Sequence, residues 1–288
     1  MKQINIASNL LKSLALVGLL SACNHENTVT PTQTDGITIN DQNAKISPLT
    51  RLVKNGSQNI QYIKSGKFIG RVSKISNYYP AGGYMEFTYD DNNPNGDLWI
   101  GQKLFVSGGV LQYEWKFKVI NGVCVQSINL TDGRFKEYKY TAAGYLDEVK
   151  EFNGQGGPLV KIWEYSYGFN VASNTYRLTT ITVSQPGQPP ISEFNFTYTG
   201  TPNKYPLSLD VNGDLLDLPI FGKSSDVLID EITSQKSFST TVHKKKFSYT
   251  TDSDGLVTSM IKALSKDNAA PYSTETHLLK FSTSWQGI

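Results

Sequence analysis

The chain has 288 residues, with 27 Lys+Arg against 25 Asp+Glu and two cysteines. Lys2 and Lys12 stand in an amino-terminal leader without acids, so the remainder balances 25 basic against 25 acidic residues. That balance excludes a nucleic-acid binder, which needs a strong basic excess, and two cysteines exclude a core built on disulfides.

The leader reads as an export signal: Lys2 and Lys12, an apolar stretch from Leu14 to Leu20, then small residues. The stretch is too short for a bilayer helix, which takes about 20 apolar residues. Leu20-Ser21-Ala22-Cys23 resembles the lipobox of bacterial lipoproteins. The resemblance implies cleavage between Ala22 and Cys23, a signal peptide over 1–22, and lipid on the Cys23 sulfur. It also implies an outer-membrane lipoprotein of the bacterial cell envelope, facing the periplasm or the outside, with the membrane as a partner through that lipid. Cys124 then has no partner for a disulfide. Between Val123 and Val125 it reads as a small buried hydrophobe.

Residues 23–48 follow as a lipidated cysteine and a tether rich in Asn, Thr, Gln and Asp, without apolar periodicity. Some 25 residues of loose chain span about 25–30 Å, enough to hold a domain clear of lipid head groups. Residues 49–288 then read as one β-rich domain.

That domain carries alternating apolar and polar positions before turns. The stripes are Met85-Phe87-Tyr89, Trp115-Phe117-Val119, Tyr138-Tyr140, Trp163-Tyr165-Tyr167, Phe194-Phe196-Tyr198 and Phe247-Tyr249. They take 14 of the 33 aromatic residues, so alternation is a main use of aromatics here. A period of two puts the aromatics on one strand face and polar groups such as Glu86, Lys116, Glu164 and Ser248 on the other. Asn121-Gly122, Ala143-Gly144 and Asp254-Gly255 are turn signals, and apolar strands return after them. Strand–turn–strand units recurring about every 25 residues predict an all-β antiparallel meander of about a dozen strands. A sheet that wide rolls into a barrel or a strongly curved sheet, here with the aromatic face inward. Residues Thr201 to Gln235 break the rhythm with Pro202, Pro206 and Pro219, and predict a strand, a long excursion and one helical turn.

Tyr138 through Leu146, and Phe247 through Leu256, look like YD/RHS-type repeats, although the tyrosine-aspartate pair itself survives only at Tyr89-Asp90. With the lipobox and Phe221-Gly222-Lys223-Ser224-Ser225, the chain resembles uncharacterised Bacteroidetes cell-envelope lipoproteins with a porin-like β fold. The resemblance implies a β-barrel and no catalytic residues, since the family carries no established activity.

Motif by motif, the chemistry is thin. Asp91, Asn93, Asn95 and Gly96 match the opening of a calcium loop, but Trp99 and Gln102 stand where later ligands belong, so a polar hairpin loop is expected. His25, His243 and His277 lack zinc spacing, and no G-x-S-x-G elbow is present. The expectation is a protein without catalytic residues, metal or cofactor. His243-Lys244-Lys245-Lys246 reads as a solvated strand edge, with Lys245 on the face of Phe247 and Tyr249. The function this supports is a membrane-anchored, non-catalytic binding or scaffolding protein with an envelope protein as partner. The alternative is a glycan- or lipid-binding barrel whose aromatic-lined cavity uses Trp115, Trp163, Tyr165, Tyr167 and Lys245.

Overall fold

The computed structural model describes residues 50–78, 82–92, 94–210 and 218–287. The leader, the Ala22–Cys23 junction and the tether lie outside the described residues, as does Asn93 of the calcium-like loop.

Sixteen strands follow one another among the described residues. They are β1 (Arg51–Asn55), β2 (Gln58–Tyr62), β3 (Val72–Tyr78), β4 (Gly83–Asp90), β5 (Leu98–Phe105), β6 (Leu111–Ile120), β7 (Val123–Asn129) and β8 (Phe135–Tyr140). Then come β9 (Leu146–Phe152), β10 (Leu159–Asn170), β11 (Thr175–Ser184), β12 (Ser192–Pro202), β13 (Val227–Lys236), β14 (Val242–Thr251), β15 (Val257–Lys266) and β16 (Ser273–Ser282). Each pairs antiparallel with its chain neighbours, and β1 closes on β16. The all-β barrel expected from the alternation is present, closed, with sixteen strands rather than about a dozen. The additional strands are ones such as β11 and β16, where Thr, Ser and Glu dilute the aromatic stripe that marks the others.

The aromatic face points inward. Met85, Phe87, Ile100, Phe117, Ile181, Phe196, Ile232, Phe247 and Met260 are buried, while the alternate positions Glu86, Lys116, Glu137, Glu164, Glu193 and Lys246 are half-buried or exposed. A membrane-spanning barrel needs an outward apolar band. This outer wall carries charges on strand after strand.

Tyrosines supply a repeated join. The Tyr62, Tyr89, Tyr140, Tyr167, Tyr198 and Tyr249 hydroxyls donate to the carbonyls of Leu52, Val72, Cys124, Leu146, Leu178 and Ile229, at 2.7–2.8 Å. The geometry is the same each time. In β13, Ile229 pairs with Tyr198 and Glu231 with Thr197, so Asp230 is an extra, bulged residue. The ladder from β13 to β14 then begins only at Glu231 with Lys246. The bulge leaves the Ile229 carbonyl beyond the ladder, and the tyrosine three residues after Lys246 reaches it. Buried backbone acceptors need such partners. Bulges at Val53, Ser73, Val125, Asp147 and Thr179 stand in the same relation to the other five tyrosines.

Sixteen strands enclose more space than their own side chains fill. The excursion between β12 and β13 fills part of it. Tyr205, Leu207, Leu218, Ile220 and Phe221 pack into the apolar cluster of β1–β8, β13, β15 and β16, and Leu209 packs into that of β10–β15. The helical turn expected within Thr201–Gln235 does not form in 203–210 or 218–226; residues 211–217 lie outside the described residues.

Candidate functional site: the open end of the barrel

Strand direction gives the barrel two unlike rims. Odd strands begin, and even strands end, at the rim that carries the excursion, here the excursion rim. The chain also enters β1 there at Arg51 and leaves β16 there at Ser282. The far rim carries the connections that follow the odd strands.

The excursion rim is closed by specific contacts. The Cys124 amide donates to the Ile220 carbonyl at 2.7 Å, and the Lys223 amide to Gly144 at 3.0 Å. Phe221 lies edge-on to Phe117 and tilts against Tyr138, with centroids 6.1 and 5.5 Å away. Gly222 has φ +86°, and a Cβ there would stand 2.8 Å from the Gly144 carbonyl oxygen, so this turn needs glycine. Where the excursion rejoins the wall, Asp226 takes a two-pronged bond from Arg177, 2.8 and 2.9 Å. The Arg177 guanidinium holds the Asp226 carboxyl down at about 2, with help from Ser173 and Thr175 and against the effect of burial. Beside the seal, the Cys124 thiol is buried and bonded to the Gln126 carbonyl. Burial pushes it up to about 12, so it is a packing residue rather than a reactive thiol.

Toward the far rim the inward stripes open to solvent. On β6, Leu111 is exposed, Tyr113 and Trp115 are half-buried, and Phe117 and Val119 are buried. On β14, His243 and Lys245 are half-buried and Phe247 buried; on β16, Glu275 is exposed, His277 half-buried and Leu279 buried. This solvent-accessible end of the inner face is here the vestibule; toward the excursion rim the same stripes run into the apolar core.

Trp115 and Trp163 stand on the vestibule wall, one on β6 and one on β10. Between them β8 presents Lys136, whose Nζ lies 5.4 Å from the Trp115 ring centre and 5.0 Å from that of Trp163. Register explains the meeting: Lys136 is opposite Glu151, Glu151 opposite Lys161, and Trp163 follows Lys161 by two. Glu151 is buried and takes an ion pair from Lys136 at 3.3 Å. The Lys161 ammonium lies 5.2 Å from the Trp163 ring centre and makes no ion pair among the described residues. Sequence alternation alone points to the two tryptophans. The lysines and Glu151 escape it, because Lys136 and Lys161 precede the aromatic stripes of their strands.

The other aromatic candidates have structural partners. Tyr167 donates to the Leu146 carbonyl, and Tyr165 packs with Ile181, Phe196 and Phe247. Burial raises the Tyr165 phenol, and the Asp210 carboxylate adds to the effect. Lys245 faces inward on β14, opposite Ile232 and Leu264. In the basic run, Lys244 and Lys246 face outward, with Lys244 bonded to Asn268. Asp91 of the calcium-like loop is ion-paired with Lys67, and Gln102 is buried on β5 with its amide on Met85. No group of three metal-ligating side chains is gathered among the described residues.

No protein-family model matches the chain, and no curated protein does. Among solved structures, the chain is similar to a porin-like protein from Bacteroides uniformis at 16% identity and a TM-score of 0.43, covering 80% of this chain and 96% of that one. It is also similar to a porin-like protein from Bacteroides vulgatus at 11% identity and a TM-score of 0.44, covering 80% of this chain and 97% of that one. The barrel itself stands on the strand pairing of this chain.

Proposed function

We propose that this chain is a lipid-tethered, non-catalytic binding protein of the bacterial cell envelope that receives a ligand at the open end of its barrel. One observation carries the reading: the lumen is floored by the apolar core and the chain's own excursion, yet open and aromatic-lined at the far rim. A closed floor argues against conduction and in favour of capture. The polar outer wall fits a domain standing in water beside a membrane rather than within it. β1 begins at the excursion rim. A lipid on Cys23 would thus hold the closed end by a leash of about 25–30 Å and leave the open end free.

Two measurements test this. In the native host, Cys23→Ala should abolish incorporation of an alkyne fatty acid and release the protein from membranes; retention in the membrane fraction rejects the anchor. For the binding role, residues 24–288 are screened by thermal shift against neutral glycans, acidic glycans and lipids, with Trp115→Ala and Trp163→Ala as the vestibule variants. Stabilisation by at least one class, lost in both variants, is the expected result. Stabilisation that both variants retain, or none from any class, rejects binding at the open end.

A further inference from the structure

We propose that the wall formed by Trp115, Lys136, Lys161 and Trp163 is a binding site for an acidic sugar, a pyranose ring carrying a carboxylate. The proposal deepens the binding reading above and rests on the vestibule being open. Four features of the wall define the ligand.

The first is aromatic surface held in water. Trp115 and Trp163 are half-buried on the inner face: each packs at the border of an apolar cluster and keeps part of its surface in solvent. Half-exposed indoles present a flat apolar surface of the kind that covers the C–H face of a pyranose.

The second is charge. Lys136 and Lys161 supply two ammonium groups at this wall, and Glu151 neutralises one of them. Lys161 has no carboxylate partner among the described residues, so the wall carries a net positive charge inside a concave, partly desolvated space. Such a space strengthens and focuses attraction for an anion.

The third is hydrogen-bond polarity. The Trp115 and Trp163 indole N–H groups have no acceptor among the described residues, and both lysines are donors only. The one acceptor of the group, Glu151, is already engaged by Lys136. The wall therefore asks for an acceptor-rich ligand. A carboxylate with ring and hydroxyl oxygens meets that demand, and a cation or an amine does not.

The fourth is preorganisation. Lys136 is fixed between two indoles and a buried carboxylate, and Lys161 lies against Trp163. Long flexible side chains held in place before binding lose less entropy when the ligand arrives.

The probe is trigalacturonate, titrated calorimetrically into residues 24–288, with the methyl-esterified trimer as a neutral isostere. The expected result is binding of the acid form, at least tenfold weaker for the ester, and weaker again as salt rises. Lys161→Gln and Trp163→Ala should each weaken the acid form at least tenfold. Lys116→Ala, which removes an exposed lysine of the outer wall, should leave it unchanged. Lys161→Gln guards against a folding artefact, because it keeps the side-chain length at a partly exposed position. The proposal is overturned if the acid trimer gives no heat, if the ester binds equally, or if Lys116→Ala costs as much as Lys161→Gln. Should a neutral glycan or a lipid bind in a Trp163-dependent way while the acid trimer does not, the binding reading stands and the acidic-sugar assignment falls. If no ligand class responds to the tryptophans, both fall.

Discussion

The Tyr140 hydroxyl donates to the Cys124 carbonyl at 2.7 Å, just where a bulge at Val125 ends the ladder between β7 and β8. Repeated in six hairpins, this join connects each tyrosine stripe to the strand before it and keeps the excursion end of the wall closed around its bulges. In the β15–β16 hairpin the same bulge occurs at Thr258, and Phe281 occupies the tyrosine position. There the ring stacks edge-on against Tyr205 of the excursion, 4.8 Å between centroids.

Removing one of these hydroxyls leaves a buried carbonyl without its partner. Tyr140→Phe and Tyr249→Phe should each cost about 1–3 kcal/mol in urea unfolding. Phe281→Tyr adds a hydroxyl at the same station of the repeat and should stay within about 0.5 kcal/mol of the parent. Equal losses for all three would reject the shared geometry.

Gly222→Ala places a methyl group against the Gly144 carbonyl and the Tyr140 ring, at a backbone conformation that favours glycine. We expect the excursion to undock before the barrel unfolds. Limited proteolysis should cut within 203–226 in the variant under conditions where the parent survives, with a loss of about 1–3 kcal/mol in global stability.

Arg177 and Asp226 tie the β10–β11 hairpin to the end of the excursion, so acid should weaken the seal. The folded-state carboxyl is held at about 2, below its ordinary value of 3.8. A depressed carboxyl contributes stability that is present above the unfolded value and is lost as pH falls through the folded one. The contribution should therefore be intact at pH 5 and disappear between about pH 4 and pH 2. Asp226→Asn should flatten this part of the stability-versus-pH curve and lower stability at pH 7 by about 1–3 kcal/mol. An unchanged acid limb in the variant would assign the acid loss to other carboxylates.

Cys124 reports on the core. Its thiol is 0% exposed and raised to about 12. In residues 24–288 a thiol reagent at pH 8 should find no reactive group in the native state and one after denaturation. Rapid native labelling would contradict the packing around Ile220.

The polar outer wall predicts that residues 24–288 are recovered from cytosolic expression without detergent. A product that partitions into detergent micelles would show that the wall meets lipid after all.

Much of this architecture is legible in the sequence, because alternation is a property of a single strand. Phe194-Phe196-Tyr198 declares a strand with one apolar face whatever its neighbours do, and the prolines at 202, 206 and 219 declare that the strand gives way to an excursion. The sequence alone thus determined an all-β meander with its aromatics inward, and a break between β12 and β13. The tertiary structure decided what pairing across the barrel decides. It closed β1 on β16, turned the excursion inward as the filler of a barrel too wide for its own side chains, and used bulges to bring each tyrosine under its carbonyl. It also set Lys136 between Trp115 and Trp163, residues on three strands that no local pattern connects. A one-residue shift of register would turn that lysine to the outer wall, so the lysine's place follows from the pairing of the whole sheet rather than from any segment of the chain.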